Sequence, residues 1–345
     1  MRSLITLSLM TMIASAQPPE IQHRSLQVNG LKMHIAEVGT GPLIVLCHGF
    51  PELWYSYRHM LPELAKAGYH AVAPDMRGYG QTDRPDPIEA YTLFHLVGDL
   101  VALVPALGAE RAVIVGHDWG APVAWHAALF RPDVFRAVAA LSVPFRPRGS
   151  VRPTSAMPRT ERSFFYQLYF QEPGWAEAEF ERDPRATIRQ LLYSASGDVP
   201  RMPSADEPGD AAPGMVPRSG GLLTRLIDPP SLPSWLTEAD VVFYANEFAR
   251  TGFRGGLNWY RNIDRNWELM APFAGLKVTV PALYVAGDRD LVVGFPGAAQ
   301  LIANLKTFVP SLSETIMLPG CGHWTQQERP EAVNAALLKF LRGLG

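Results

Sequence analysis

Asp118 stands where a strand pattern gives way to a helical one. The run Val115-Gly116-His117-Asp118-Trp119-Gly120 follows the apolar Ala112-Val113-Ile114 and precedes Val123-Ala124-Trp125-His126-Ala127-Ala128-Leu129. A sharp, Gly-flanked turn between strand and helix presents its middle residue as a nucleophile elbow, which in its common form reads G-x-S-x-G. Aspartate in that place changes the chemistry. A serine needs a base to take its proton, whereas a carboxylate is an anion at neutral pH. A carboxylate that attacks an alkyl carbon becomes an ester, so Asp118 points to an electrophilic sp³ carbon rather than an acyl group.

Breaking that ester requires a base. Gly320-Cys321-Gly322-His323-Trp324 follows one strand run and precedes the last helical pattern, which places His323 on a strand-to-helix loop. The preceding strand run ends at Gly287-Asp288-Arg289-Asp290. Either Asp288 or Asp290 could hold the imidazole in one tautomer while the other caps a turn, and spacing does not choose between them. His48-Gly49-Phe50-Pro51 follows the first strong strand run. The Phe50 N–H from this loop and the Trp119 N–H after the elbow are the two backbone donors for an oxyanion hole. Pro51 has no N–H and fixes the turn.

These loops need a scaffold. Short apolar runs at Leu43–Cys47, Ala71–Ala73, Arg111–Gly116, Ala137–Val143 and Pro281–Asp288 each end at a loop, as buried parallel strands do. Between them, Leu93, Leu96, Val97, Leu100, Val101 and Val104 recur at helical spacing. The last helix is expected over Glu331–Leu344. Such alternation predicts an α/β fold, a mostly parallel doubly wound sheet with its chemistry at the strand C-termini. After Pro144 the regular strand runs stop. Helices are expected over Glu161–Phe170, Ala186–Tyr193 and Glu238–Arg250, with a Gly- and Pro-rich lid loop at Ser196–Pro233. The predicted division is a leader at 1–16, core at 17–144, a helical cap at 145–270 and the rest of the core at 271–345.

Composition narrows the class. With 47% hydrophobic and 19% charged residues, the chain reads as a globular protein. Its formal net charge of -2, with no basic stripe, argues against a nucleic-acid partner. Arg2, the apolar Leu4–Ile13 run and Ala14-Ser15-Ala16 read as a signal peptide, which predicts export. If the leader is retained, the expected compartment is the cytoplasm. No later segment is apolar and long enough for a transmembrane helix. Cys47 and Cys321 read as buried free thiols. No metal-ligand cluster or phosphate loop is visible, so no metal and no cofactor is expected.

At this level of detail the chain resembles the α/β-hydrolase epoxide hydrolases, closely the soluble type of animals and plants. The likeness rests on His48-Gly49-Phe50-Pro51-Glu52, Asp75-Met76-Arg77-Gly78-Tyr79-Gly80 and Gly116-His117-Asp118-Trp119-Gly120. It continues in Tyr166-Gln167-Leu168-Tyr169-Phe170-Gln171-Glu172-Pro173-Gly174, Thr251-Gly252-Phe253-Arg254-Gly255-Gly256-Leu257-Asn258-Trp259-Tyr260-Arg261-Asn262 and Gly322-His323-Trp324. The resemblance implies an α/β-hydrolase fold with an inserted helical cap. It implies that Tyr166 and Tyr260 bind the epoxide oxygen and that the acid is Asp290 rather than Asp288. Asp118, His323, Asp290, Tyr166 and Tyr260 would then be the catalytic set, with His48, Pro51, Gln167 and Trp324 around the substrate. The implied reaction opens an apolar small-molecule epoxide to a vicinal diol, with water as co-substrate. Two rivals share the fold. A haloalkane or haloacid dehalogenase also uses an Asp nucleophile, but a halide leaves without a proton and needs no tyrosines. A non-catalytic ligand-binding protein would have no use for an intact Asp118–Asp290–His323 set. The leader and Gly120-Ala121-Pro122, where a double glycine is more usual, are departures from the family pattern.

Overall fold

The computed structural model describes residues 20–200 and 209–345. The leader read at 1–16 lies outside the described residues. Among the described residues are ten strands: β1 (Gln22–Val28), β2 (Leu31–Val38), β3 (Leu43–Cys47), β4 (His70–Pro74), β5 (Ala112–His117), β6 (Phe135–Leu141), β7 (Ser163–Phe165), β8 (Met215–Pro217), β9 (Ala282–Gly287) and β10 (Leu312–Leu318). Eight form one sheet in the order β1-β2-β4-β3-β5-β6-β9-β10. The β1–β2 and β2–β4 pairs are antiparallel and all the others are parallel. Every residue of β3, β5 and β9 is buried, which is why these strands read as unbroken apolar runs.

Helices cover both faces. Leu96, Val97 and Leu100 of Leu93–Ala106 share one core with Trp125 of Gly120–Phe130 and with Val45 of β3. Leu61 and Leu64 of Leu61–Lys66 and Leu337 and Leu341 of Pro330–Arg342 share the other with Ile44 and Leu46. From β3 the chain steps outward to β4, then crosses back to β5 on the opposite side. That reversal is a topological switch point, and the crevice outside the ends of the strands there is where such folds bind ligands. The loops after β3 and β5 carry His48–Pro51 and Asp118.

The described residues between β6 and β9 add no strand to the main sheet. Two of its helices match their sequence signals. Pro184–Ser194 has Asp183 accepting the Ala186 N–H and proline at its start. Glu238–Thr251 is opened by a Thr237/Asp240 capping box. The expectation for Glu161–Phe170 is corrected. Ser163–Phe165 is strand β7, paired antiparallel with β8, and only Tyr166–Tyr169 is helical. The partner strand falls inside the stretch read as a lid loop. A three-residue strand has too few alternations to register as period two.

The cap meets the core along a seam of close contacts. Arg77 forms a two-pronged pair with Asp99 at 2.7 and 2.6 Å, and the Arg77 carbonyl takes the Trp259 indole N–H. Gly78 lies against Gly255, where a Cβ on Gly255 would sit 2.1 Å from the Gly78 oxygen. Gly255 is the second residue of the helix Arg254–Arg261 that carries Tyr260, so this contact sets the height of that helix over the sheet.

Candidate active site

Asp118 follows β5 with φ of 49°, a left-handed conformation that few non-glycine residues adopt. Its neighbours make this turn possible. A Cβ on Gly116 would lie 2.0 Å from the Gly120 carbonyl oxygen, so the strand and the helix can approach this closely only through glycine. The Phe50 N–H donates to Asp118 Oδ1 at 2.7 Å. A Cβ built on Gly49 would come within 2.2 Å of the same oxygen and 2.5 Å of the Trp119 nitrogen, so only glycine lets the loop after β3 approach the elbow this closely.

His323 lies between two carboxylates. Its Nε2 is 3.3 Å from Asp118 Oδ2 and its Nδ1 is 3.0 Å from Asp290 Oδ1. Burial works against a charge on this ring, but Asp290 and Asp118 outweigh it and hold the imidazole well above its usual proton affinity. Burial would likewise raise the Asp290 carboxyl, but the charge and hydrogen bond of His323 keep it below its usual range. Asp288 is exposed and accepts the Gly320 N–H at 2.8 Å, a turn-capping contact on the loop before His323.

The backbone of His323 is clamped from both sides. Its N–H donates to the Ala195 carbonyl at 2.9 Å, and its own carbonyl oxygen is 2.7 Å from His117 Nε2. His117 Nδ1 is 2.6 Å from Glu52 Oε2, which also accepts the Gly49 N–H at 3.1 Å. Burial would raise the Glu52 carboxyl, yet His117 overrides it and brings the carboxyl down to about 2. Sequence reading named neither His117 nor Glu52 as a site residue, although both lie inside its motifs.

Asp118, His323, Tyr166 and Tyr260 line one cavity of about 1260 Å³, together with Phe50, Pro51, Phe170 and Trp324. Tyr166 follows β7, and Tyr260 projects from the helix Arg254–Arg261. Their rings meet edge-on at 6.0 Å. Burial, then the Asp118 charge, pushes both phenols above their usual proton affinity, so they are protonated donors at neutral pH.

Two expectations about the pocket are corrected. His48 is fully buried behind the wall, with Nδ1 2.9 Å from the Gly49 oxygen and Nε2 taking the Met76 N–H. Both ring nitrogens thus serve the loop, and none is left for a substrate. Gln167 is also off the wall and donates to the Tyr166 hydroxyl oxygen at 3.0 Å, so it reaches the cavity only through that tyrosine. The wall is not uniformly apolar, since Arg225, Asp288 and Arg289 line it too.

An eight-stranded, mostly parallel sheet with a nucleophile elbow at its switch point defines an α/β hydrolase, and residues 42–206 match the family model described as alpha/beta hydrolase fold. Over 93% of its length the chain is 48% identical to epoxide hydrolase A of Mycobacterium tuberculosis, covering 97% of that protein. It is 45% identical to epoxide hydrolase 3 of Siraitia grosvenorii, with 93% of this chain and 98% of that protein covered. The crystal structure of epoxide hydrolase A from Mycobacterium thermoresistibile superposes with a TM-score of 0.86 at 47% identity, covering 94% of this chain and 99% of that one. The chain belongs to the epoxide hydrolases and is a hydrolase that opens epoxides.

Proposed function

We propose that the reaction runs through a covalent ester on Asp118, which His323 then hydrolyses with water to release a vicinal diol. The observation that carries this reading is His323, with Nε2 facing Asp118 Oδ2 at 3.3 Å and Nδ1 facing Asp290 Oδ1 at 3.0 Å. In the first half, a carboxylate oxygen of Asp118 attacks an epoxide carbon and the carbon–oxygen bond breaks. The departing oxygen takes a proton from Tyr166 or Tyr260, since an alkoxide is far more basic than a phenolate. The product is a hydroxyalkyl ester on Asp118 and a phenolate.

Esterification also removes one of the two anions that flank His323. The imidazolium then releases its proton more readily, and that proton restores the phenol. Neutral His323, oriented by Asp290, becomes a base at the stage that needs one. It takes a proton from water, and the hydroxide attacks the Asp118 carbonyl carbon. The Phe50 and Trp119 N–H groups receive the oxyanion. Collapse expels the diol oxygen, which takes the carboxyl proton, and Asp118 is a carboxylate again. The aromatic lining around Asp118 suits an apolar epoxide, while Arg225, Asp288 and Arg289 leave part of the wall polar.

Trapping tests this reading. His323→Gln incubated with styrene oxide should gain one substrate mass on the peptide that carries Asp118, and Asp118→Ala should gain nothing and make no diol. An unmodified His323→Gln protein, under conditions where the wild type turns over, would refute the ester. The reading also includes export after cleavage at Ala16. Sequencing of the native protein should then start at Gln17, and a chain that retains Met1 would contradict it.

A further inference from the structure

Among the described residues, three other than glycine have a left-handed backbone: Asn29, Asp118 and Ser142. Asn29 precedes Gly30 in the tight turn between β1 and β2, where Asn-Gly is the usual solution. Asp118 is the elbow. Ser142, with φ of 71°, directly follows β6 and is fully buried. Glycine would take that conformation without steric cost, so a serine there has to be explained by its hydroxyl.

That hydroxyl lies in the active site. Ser142 Oγ is 3.0 Å from His323 Nδ1, the nitrogen that also faces Asp290 Oδ1 at 3.0 Å. The backbone of Ser142 is pinned at both ends. Its N–H donates to the Val285 oxygen at 2.8 Å, and its carbonyl accepts the Tyr284 hydroxyl at 2.6 Å. These bonds, made to β9, fix where Oγ sits. Asp290 Oδ1 takes the Val292 N–H at 2.9 Å, whereas Oδ2 is buried and has no donor in hydrogen-bonding geometry. A carboxylate oxygen left so is costly.

We infer that Ser142 is a positioning residue for ester hydrolysis, its hydroxyl tying the His323 ring to the Asp290 carboxylate. The reading rests on the covalent mechanism proposed above. With a proton on Nδ1, the imidazole donates to both Asp290 Oδ1 and Ser142 Oγ. The serine's own proton is then free to turn toward the Asp290 carboxylate, which the His323 charge and hydrogen bond hold ionised. Two acceptors on one N–H hold the ring against rotation about its side-chain bond. Rotation would swing Nε2 away from the water that attacks the ester. Alkylation of Asp118 does not draw on this contact, because the attacking oxygen belongs to Asp118 and the proton to a tyrosine.

Glycine separates position from structure. Ser142→Gly deletes the hydroxyl and relieves the backbone, so a residue kept only for its turn would lose nothing by this change. We expect Ser142→Gly to melt no lower than wild type, to form the Asp118 ester at the wild-type rate in rapid-quench mass spectrometry, and to break it down about 10- to 100-fold more slowly, the rate equivalent of one hydrogen bond to a charged group. Ser142→Ala, which keeps the strained backbone, should show the same kinetic split and provides the measurement if the glycine variant folds poorly. Wild-type ester breakdown in either variant, or an equal slowing of both half-reactions, overturns the proposal. His323→Gln run alongside distinguishes the two claims. If it too forms no ester, the covalent mechanism fails and this inference with it. If it traps ester while Ser142→Gly clears ester normally, only the role of Ser142 is wrong.

Discussion

Tyr166 and Tyr260 face the same cavity as Asp118, and in the proposed reaction they share one task. Loss of either should therefore be tolerated. Tyr166→Phe or Tyr260→Phe should keep measurable diol formation from styrene oxide, because the remaining phenol still donates. The double variant should lose on the order of 10²- to 10⁴-fold, the usual contribution of a general acid. A folded double variant at the wild-type rate would show that the rings only pack. The carboxylates after β9 should behave unequally as well. Asp290→Asn should slow turnover strongly, while Asp288→Asn, at a wall residue whose carboxylate bonds the Gly320 N–H rather than His323, should do little. Turnover assays of the two variants give that ranking, and the reverse order would reassign the acid. Asp118 and His323 were legible from local pattern, since the elbow and the final strand-to-helix loop each occupy a few consecutive residues. The two tyrosines were not distinguishable among 11 without the family likeness. Ser142 was legible by neither route, because the atom that it meets is 181 positions away and its φ leaves no mark in the sequence.

At the scale of elements, the strands that carry the site were the easiest to read, since burial on both faces makes them continuously apolar. The short pair β7–β8 escaped, and so did β1, whose residues are largely exposed. The loop after β3 is held by Glu52, which joins it to His117 on β5 and, through Gln326 at 2.9 Å, to the short helix Thr325–Glu328 after His323. A carboxyl brought from 4.5 to about 2 on folding adds stability on the order of 3 kcal/mol. Because the folded value is the lower one, this contribution is complete above pH 4.5 and disappears as the pH falls toward 2. Glu52→Gln should accordingly be less stable at neutral pH, with a shallower loss between those limits. Urea midpoints measured across that range would check it, and parallel curves for the two proteins would contradict it.

For the whole molecule, the proposed reaction takes its acids from the cap and its nucleophile and base from loops of the sheet, so the seam between them would set the chemistry. Its tightest point is Gly255 on Gly78, about one and a half helical turns before Tyr260. Gly255→Ala should lift that helix. A displacement near 1 Å costs on the order of 10²-fold in a positioned reaction. The loss should fall on alkylation, read by rapid quench, and ester breakdown should be spared. Equal losses in both halves would mean that the seam does not act through Tyr260. The seam gives Arg77-Gly78 in the core and Arg254-Gly255 in the cap a structural task although neither pair lines the cavity around Asp118, a reason invisible until the two segments are brought together. The covalent route itself is tested most directly by a single turnover in water enriched in ¹⁸O, with enzyme in excess over styrene oxide. If Asp118 attacks the epoxide and water attacks the ester carbonyl, the first diol carries no ¹⁸O and the label is found in the Asp118 carboxylate. Label in the first diol, with none in Asp118, would mean that water attacks the epoxide directly.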